Sequence, residues 1–217
     1  MRLLVVADSA HTWPEGPDGR YDLSPLVERH RPDALLSLGD YSTAHAEVMV
    51  RSGAPVRLGV YGNHCTQDYM PGQGIVDLVA DRRLPARRTI LTLAGHRPLT
   101  VLAVQGCVRY KFDRHDVLFT QREYAAAIDP LPAAELVITH CPPAGINDDQ
   151  DTAHEGIAAG NVNLNWLRLG GLSWPHPTGG TEAARVEPCW VNACGTSDEP
   201  GLSECDRGSA LGRRVSG

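Results

Sequence analysis

Four polar positions in this chain each stand just after a short apolar run. Asp8 follows residues 2–7, Arg-Leu-Leu-Val-Val-Ala, and Asp40 follows 34–38, Ala-Leu-Leu-Ser-Leu, after the single residue Gly39. Asn63 and His64 follow 56–60 through Tyr61-Gly62, and His140 follows 135–139, Glu-Leu-Val-Ile-Thr. Apolar runs of this length bounded by turn residues read as buried strands. In an open α/β sheet, ligands bind beyond the carboxyl ends of the strands. Four such ends would deliver two carboxylates, an amide and an imidazole to one rim. Oxygen and nitrogen donors of this kind suit divalent first-row metals, and a carboxylate such as that of Asp40 can bridge two ions about 3.5–4 Å apart. Each residue also has a plainer reading. Asp8 and Asp40 are good turn caps, Asn63 suits a left-handed turn after Gly62, and His140 suits a buried histidine bonded to backbone.

The elements that must position these groups are legible in outline. Leu23, Leu26, Val27 and His30 lie at helical spacing, with Ser24-Pro25 as cap and first turn. A second, shorter helix is expected from Ala44 to Arg51. Strand and helix in alternation imply parallel strands with right-handed crossovers, so the fold class is α/β. Residues 89–93 and 99–104 are β-rich, with Gly95 and Arg97-Pro98 between them, and predict paired strands. Thr120 to Ile128 predicts a helix capped at Thr120, with Glu123 at the capping-box spacing.

Composition narrows the classes. A chain of 217 residues suits one domain, or one domain and a tail. Its formal net charge of −6 makes it a poor candidate for wrapping nucleic acid, which needs a basic footprint. It still permits a phosphorylated small molecule, because bound cations reverse the local field. No apolar run approaches the roughly 18 residues of a membrane span, and the apolar N-terminal stretch is too short for a signal-peptide core, so a cytoplasmic location is expected. The six cysteines, at 65, 107, 141, 189, 194 and 205, contain no Cys-x-x-Cys pair and are expected to be reduced and mostly structural. A nucleotide-binding α/β domain ranks last, since no Gly-x-Gly-x-x-Gly or P-loop element is present.

Asp8, Gly39-Asp40, Gly62-Asn63-His64 and Thr139-His140-Cys141-Pro142-Pro143 resemble, in order and spacing, the signature of the calcineurin-like metallophosphoesterase superfamily. The stretch Gly106-Cys107-Val108-Arg109-Tyr110-Lys111 and the stretch from Gly145 through Asp151, His154 and Gly156 look like a bacterial subgroup of small phosphoesterases. The resemblance covers residues 1 to about 158. It implies a four-layer αββα sandwich holding two divalent ions, drawn from Mn, Fe, Zn or Ni. By that resemblance Asp8 binds the first metal, Asp40 bridges both, and Asn63 and His140 bind the second. His64 faces the phosphate oxygens as the catalytic residue. A metal-activated water would hydrolyse a phosphomonoester or phosphodiester on a small phosphorylated substrate. His11 is a shifted candidate ligand, and His154 a candidate near the metal or phosphate. Arg109, with Lys111, is a candidate for holding a substrate phosphate. The remaining histidines His30, His45, His96 and His115 read as surface residues.

The chain departs from that pattern in several places. The usual Asp-x-His of the first block is Asp8-Ser9-Ala10 here, Thr43 stands where the second block has a further Asp, and Cys65 closes the third block in place of Asp or Glu. The closing Gly-His-x-His, which gives a histidine to each metal, is absent. A boundary is expected near 158–162, with 161–217 an atypical and poorly specified C-terminal segment. The stretch Ser173-Trp174-Pro175-His176-Pro177 encodes His-Gly-His-Thr (or Ile) one nucleotide later if the third bases of Ser173 and Pro175 are A. The expectation is a frameshift between about 156 and 166; coincidence or a divergent tail is the plain alternative. Loss of those ligands keeps a second reading open, a phosphoesterase fold with impaired catalysis that acts as a binding or scaffold module.

Overall fold

The computed structural model describes residues 1–7, 13–144 and 155–158, and the backbone alone of 189–192 and 204–206. It is a mixed α/β structure. In chain order the elements are β1 (Arg2–Val6), α1 (Ser24–His30), β2 (Ala34–Ser37), α2 (Thr43–Arg51), β3 (Arg57–Gly59), β4 (Val76–Asp77), β5 (Ala86–Leu91), β6 (Leu99–Val104), β7 (Cys107–Val108), β8 (Leu118–Phe119), α3 (Gln121–Ile128), β9 (Leu136–Thr139), β10 (Cys189–Asn192) and β11 (Glu204–Asp206). One sheet has the order β11-β1-β2-β3-β4, a second has β10-β9-β6-β5, and β7 pairs with β8 alone.

In the first sheet β1, β2 and β3 run parallel, as the strand–helix alternation requires; β4 lies parallel to β3 with no helix between them, and β11 is antiparallel to β1. The register sets Val6 beside Ser37 and Ser37 beside Gly59, so the chain leaves these strands on one side, toward Asp40 and Asn63. In the second sheet β9 is parallel to both β6 and β10, while β5 is antiparallel to β6.

Alternation along the strands sorts the core. Leu3, Val5, Ala34, Leu36 and Leu58 of the first sheet join Leu99, Val101, Ala103, Leu136 and Ile138 of the second in one buried apolar cluster. That cluster takes no residue from the three helices. The alternate positions Leu4, Val6, Leu35, Leu102, Val104 and Val137 fall in another cluster, with Val27 of α1, Val48 and Met49 of α2, and Tyr124 and Ile128 of α3. Truncating such a core residue to alanine costs about 2–5 kcal/mol.

The helix ends follow from local chemistry. At α3, Thr120 Oγ1 accepts from the Glu123 N–H at 3.2 Å, and the Thr120 N–H donates to Glu123 Oε2 at 2.7 Å, the expected capping box. At α1 the cap moves from expectation: Ser24 is already helical, Leu23 occupies the N-cap, and Asp22 Oδ1 takes the Ser24 N–H at 2.9 Å. At α2 the box is built from Ser42 and His45, with histidine in place of the usual Glu or Gln. The paired strands β5 and β6 form, but β5 begins at Ala86 instead of residue 89. Arg87 and Arg88 hid its start; β5 is an edge strand, where charged side chains are tolerated and block further pairing. Among the described residues, no helix is long and apolar enough to cross a membrane.

Candidate metal centre

Two turns beyond the first sheet meet at glycines. A Cβ on Gly39 would lie 2.2 Å from the backbone nitrogen of Gly62, and a Cβ on Gly62 would lie 2.2 Å from Asp40 Oδ1 and 2.7 Å from His140 Cε1. Only glycine allows both approaches, which explains Gly-Asp and Gly-Asn-His as local patterns. Asp40 itself is left-handed at φ 62°, a region that aspartate enters more readily than bulky residues. The left-handed position therefore falls on Asp40 and not on Asn63. Cys65 holds the two turns together. Its sulfur accepts the N–H of Asp40 at 3.1 Å and of Gly62 at 3.2 Å. Burial, with the Asp40 charge nearby, pushes this thiol up to about 11, so it stays neutral. It is a packed structural cysteine, as are Cys107 and Cys141, all three buried and free of disulfides.

His140 arrives from the end of β9. It is 2% exposed, and its Nδ1 lies 2.8 Å from the carbonyl of Leu38. A carbonyl only accepts, so Nδ1 carries the hydrogen there, and Nε2 is the atom turned toward the site. Nε2 stands 2.8 Å from Asn63 Oδ1 and 3.5 Å from Asp40 Oδ2. Asn63 is 7% exposed; its Oδ1 takes the Cys107 thiol at 3.1 Å and its Nδ2 donates to the Tyr110 hydroxyl at 3.3 Å. With neutral imidazole, three lone-pair-bearing atoms from three residues converge. They repel one another unless a positive charge joins them, either a proton on Nε2 or a cation. A nitrogen and two oxygens suit a divalent first-row metal. A histidine whose other ring N–H is tied to a backbone carbonyl is also the usual arrangement of a metal ligand. The residues present fit a cation.

Of the residues singled out in the sequence, Asp40, Asn63 and His140 are thus brought together. His64 is exposed, and its backbone N–H donates to Asp40 Oδ1 at 2.8 Å. Asp8, His11 and His154 lie outside the described residues, as does the Ser173–Pro177 stretch. Among the described residues, no three His, Cys, Asp or Glu side chains converge; this centre offers two of them and an amide.

Arg109 is placed elsewhere. Its guanidinium donates to the Leu118 carbonyl at 3.0 Å and to Glu123 at 3.4 Å, and Lys111 pairs with Asp116. Both face an open cleft of about 1140 Å³, lined also by Tyr61, Asp77, Arg82 and Phe112 but not by Asp40, Asn63, His64 or His140. Several of its charges are paired with one another, as in Arg82–Asp68, Arg83–Asp81 and Lys111–Asp116. The cleft backs onto the site loop: Arg82 donates to the Cys65 carbonyl, and the Val117 N–H donates to the Asn63 carbonyl at 3.2 Å.

Sequence reasoning did not single out Tyr110 or Cys107 as partners of Asn63. The only signal was their place in Gly106–Lys111, quoted for its resemblance alone. His45, expected at the surface, is half-buried between Trp13, Tyr21 and Tyr41 at ring separations of 5.4, 6.1 and 5.6 Å, and burial lowers its pKa. A scan against models of known protein families and a search of curated proteins each find no match.

Proposed function

We propose that the chain is a metal-dependent phosphoesterase of the calcineurin-like type, hydrolysing a phosphomonoester or phosphodiester. One observation carries this reading: the Nδ1–H of His140 is fixed on Leu38, and its Nε2 faces Asn63 Oδ1 and Asp40 Oδ2. The same reading arranges the two sheets as the inner layers of an αββα sandwich, with α1 and α2 outside one and α3 outside the other.

Asp40, Asn63 and His140 would hold the cation, with Asp8 as the further ligand that the resemblance implies. A bound divalent ion there supplies charge against the phosphoryl oxygens and acidifies water. The chain's own residues do the rest. Asp40 keeps its carboxylate aimed inward because Oδ1 is tied to the His64 N–H. That bond keeps the exposed residue His64 next to Asp40, from where its ring would meet a substrate oxygen. There His64 stabilises developing charge or gives a proton to the leaving oxygen. Burial of Asn63 and His140 removes water from one side of the centre, which strengthens every charge interaction inside it.

A second reading rests on the absence of Gly-His-x-His: the same fold with impaired catalysis, serving as a binding module. One experiment separates them. The purified full chain is analysed for Mn, Fe, Zn and Ni, then assayed on p-nitrophenyl phosphate and its bis ester with added Mn²⁺. Bound metal with turnover that falls about 10²–10⁴-fold in His64→Ala supports the enzyme. Bound metal without turnover supports the binding module, and neither metal nor turnover rejects the phosphoesterase reading.

A further inference from the structure

We infer that Tyr110 and Cys107 are positioning residues that hold the Asn63 amide with its oxygen turned inward, and so decide whether this centre accepts a cation. The inference rests on the proposed reading of Asp40, Asn63 and His140 as a cation site.

The two ends of an asparagine amide are nearly alike in shape and opposite in chemistry. Because Nδ1 of His140 spends its hydrogen on Leu38, Nε2 of the neutral ring is an acceptor. An inward Asn63 NH₂ would satisfy that acceptor directly and fill the centre with a donor. An inward Oδ1 instead sets a second lone pair beside Nε2, at 2.8 Å, where a cation would meet both. With the ring neutral, the His140–Asn63 contact does not by itself select the second state. Partners elsewhere on the amide then bear on the choice.

Two partners stand there. The Cys107 thiol, 5% exposed, lies 3.1 Å from Oδ1 and donates to it. The Tyr110 hydroxyl lies 3.3 Å from Nδ2 and accepts from it. The backbone that carries them is anchored. The Gly106 N–H donates to the Tyr61 carbonyl at 2.8 Å, the Cys107 N–H to the Val117 carbonyl at 3.1 Å, and the Val117 N–H to the Asn63 carbonyl at 3.2 Å. Gly106 has φ 68°, and a Cβ there would lie 2.2 Å from the Val117 carbonyl oxygen, so this close seam between β7 and the site loop requires glycine. The backbone thus carries both side chains to the outer edge of Asn63. Tyr110 is 41% exposed, so its hydroxyl can be removed with little effect on the core.

The test is Mn²⁺ titration of the full chain by calorimetry, with free Mn²⁺ checked by electron paramagnetic resonance. Tyr110→Phe and Cys107→Ala are each expected to weaken Mn²⁺ binding about 10-fold or more, the usual scale for outer-shell partners, while Cys107→Ser, which keeps a donor, stays within about 3-fold of the parent chain. Circular dichroism and the thermal midpoint of Tyr110→Phe should match the parent, which separates positioning from folding. Parent-like Mn²⁺ affinity in Tyr110→Phe overturns the inference while leaving the cation site intact. A parent chain that binds no Mn²⁺, indistinguishable from Asn63→Ala, overturns the cation site and this inference together.

Discussion

The imidazole of His140 donates to the carbonyl of Leu38 at 2.8 Å across 102 residues of sequence. The bond ties the end of β9, in one sheet, to the end of β2, in the other, and fixes the tautomer with Nε2 turned toward Asn63 and Asp40. The two roles are separable. Asparagine at 140 can place an amide N–H where Nδ1–H stands but has nothing in place of Nε2. His140→Asn should therefore unfold in urea within about 1 kcal/mol of the parent yet lose Mn²⁺ binding. His140→Ala should lose both, with about 1–3 kcal/mol of stability gone through the unpaired buried carbonyl. Parent-like Mn²⁺ binding in His140→Asn would remove Nε2 from the ligand set.

Gly62 offers a test of how closely the turns must approach. It is not at positive φ, so alanine there meets no backbone strain, and its methyl group would collide with Asp40 Oδ1 and His140 Cε1. Gly62→Ala should cost about 1–3 kcal/mol, the range for overpacking, and weaken Mn²⁺ binding at least as much as any single positioning variant. Gly53→Ala is the control. Its φ is 77° with open space around the added Cβ, so it should lose about 1–2 kcal/mol to backbone strain with Mn²⁺ binding unchanged.

Stability should fall in alkali. Burial raises Cys65 from its ordinary 9.0 to about 11 and Tyr61 from 10.0 to about 12, and raises Tyr69 far above its ordinary range. A raised folded pKa favours the protonated form in the native state. Its contribution is therefore whole below the unfolded value and is lost as pH climbs through the folded one. Urea midpoints should hold to about pH 9 and then drop. Cys65 should account for about 2 kcal/mol of the loss by pH 11. Cys65→Ser keeps an acceptor for Asp40 and Gly62 and removes the titrating thiol, so its decline should be shallower. A parent chain equally stable at pH 8 and pH 11 would contradict the burial argument.

The C-terminal proposal is decided by nucleotides. If a frameshift replaced the native end, the codons of Ser173 and Pro175 must both finish in A, so that the next frame reads His-Gly-His. Any other third base at either codon ends the idea, and sequencing the gene reads both at once.

Much of this architecture was legible in residue order because buried parallel strands write themselves as apolar runs. Asp40, Asn63 and His140 stood out because each closes such a run, and the Thr120–Glu123 cap because its spacing is diagnostic. What stayed hidden depends on contacts between distant segments. Leu38 contributes only a carbonyl, and Tyr110 and Cys107 reach Asn63 across a seam set by Gly106 and Val117. The start of β5 was masked by two arginines on an edge. The left-handed Asp40 was missed because Asn63 has the stronger local preference; the approach of Gly62 overrides it.

On the proposed reading, one divalent cation would bind among Asp40 Oδ2, Asn63 Oδ1 and His140 Nε2. A crystal of the full chain soaked in Mn²⁺ and recorded for anomalous scattering would locate it. The predicted result is an anomalous peak at bonding distance from all three atoms, with the His140–Leu38 bond kept. Mn²⁺ bound elsewhere, or an Asn63 amide with its nitrogen turned toward His140 and no ion between them, would contradict it.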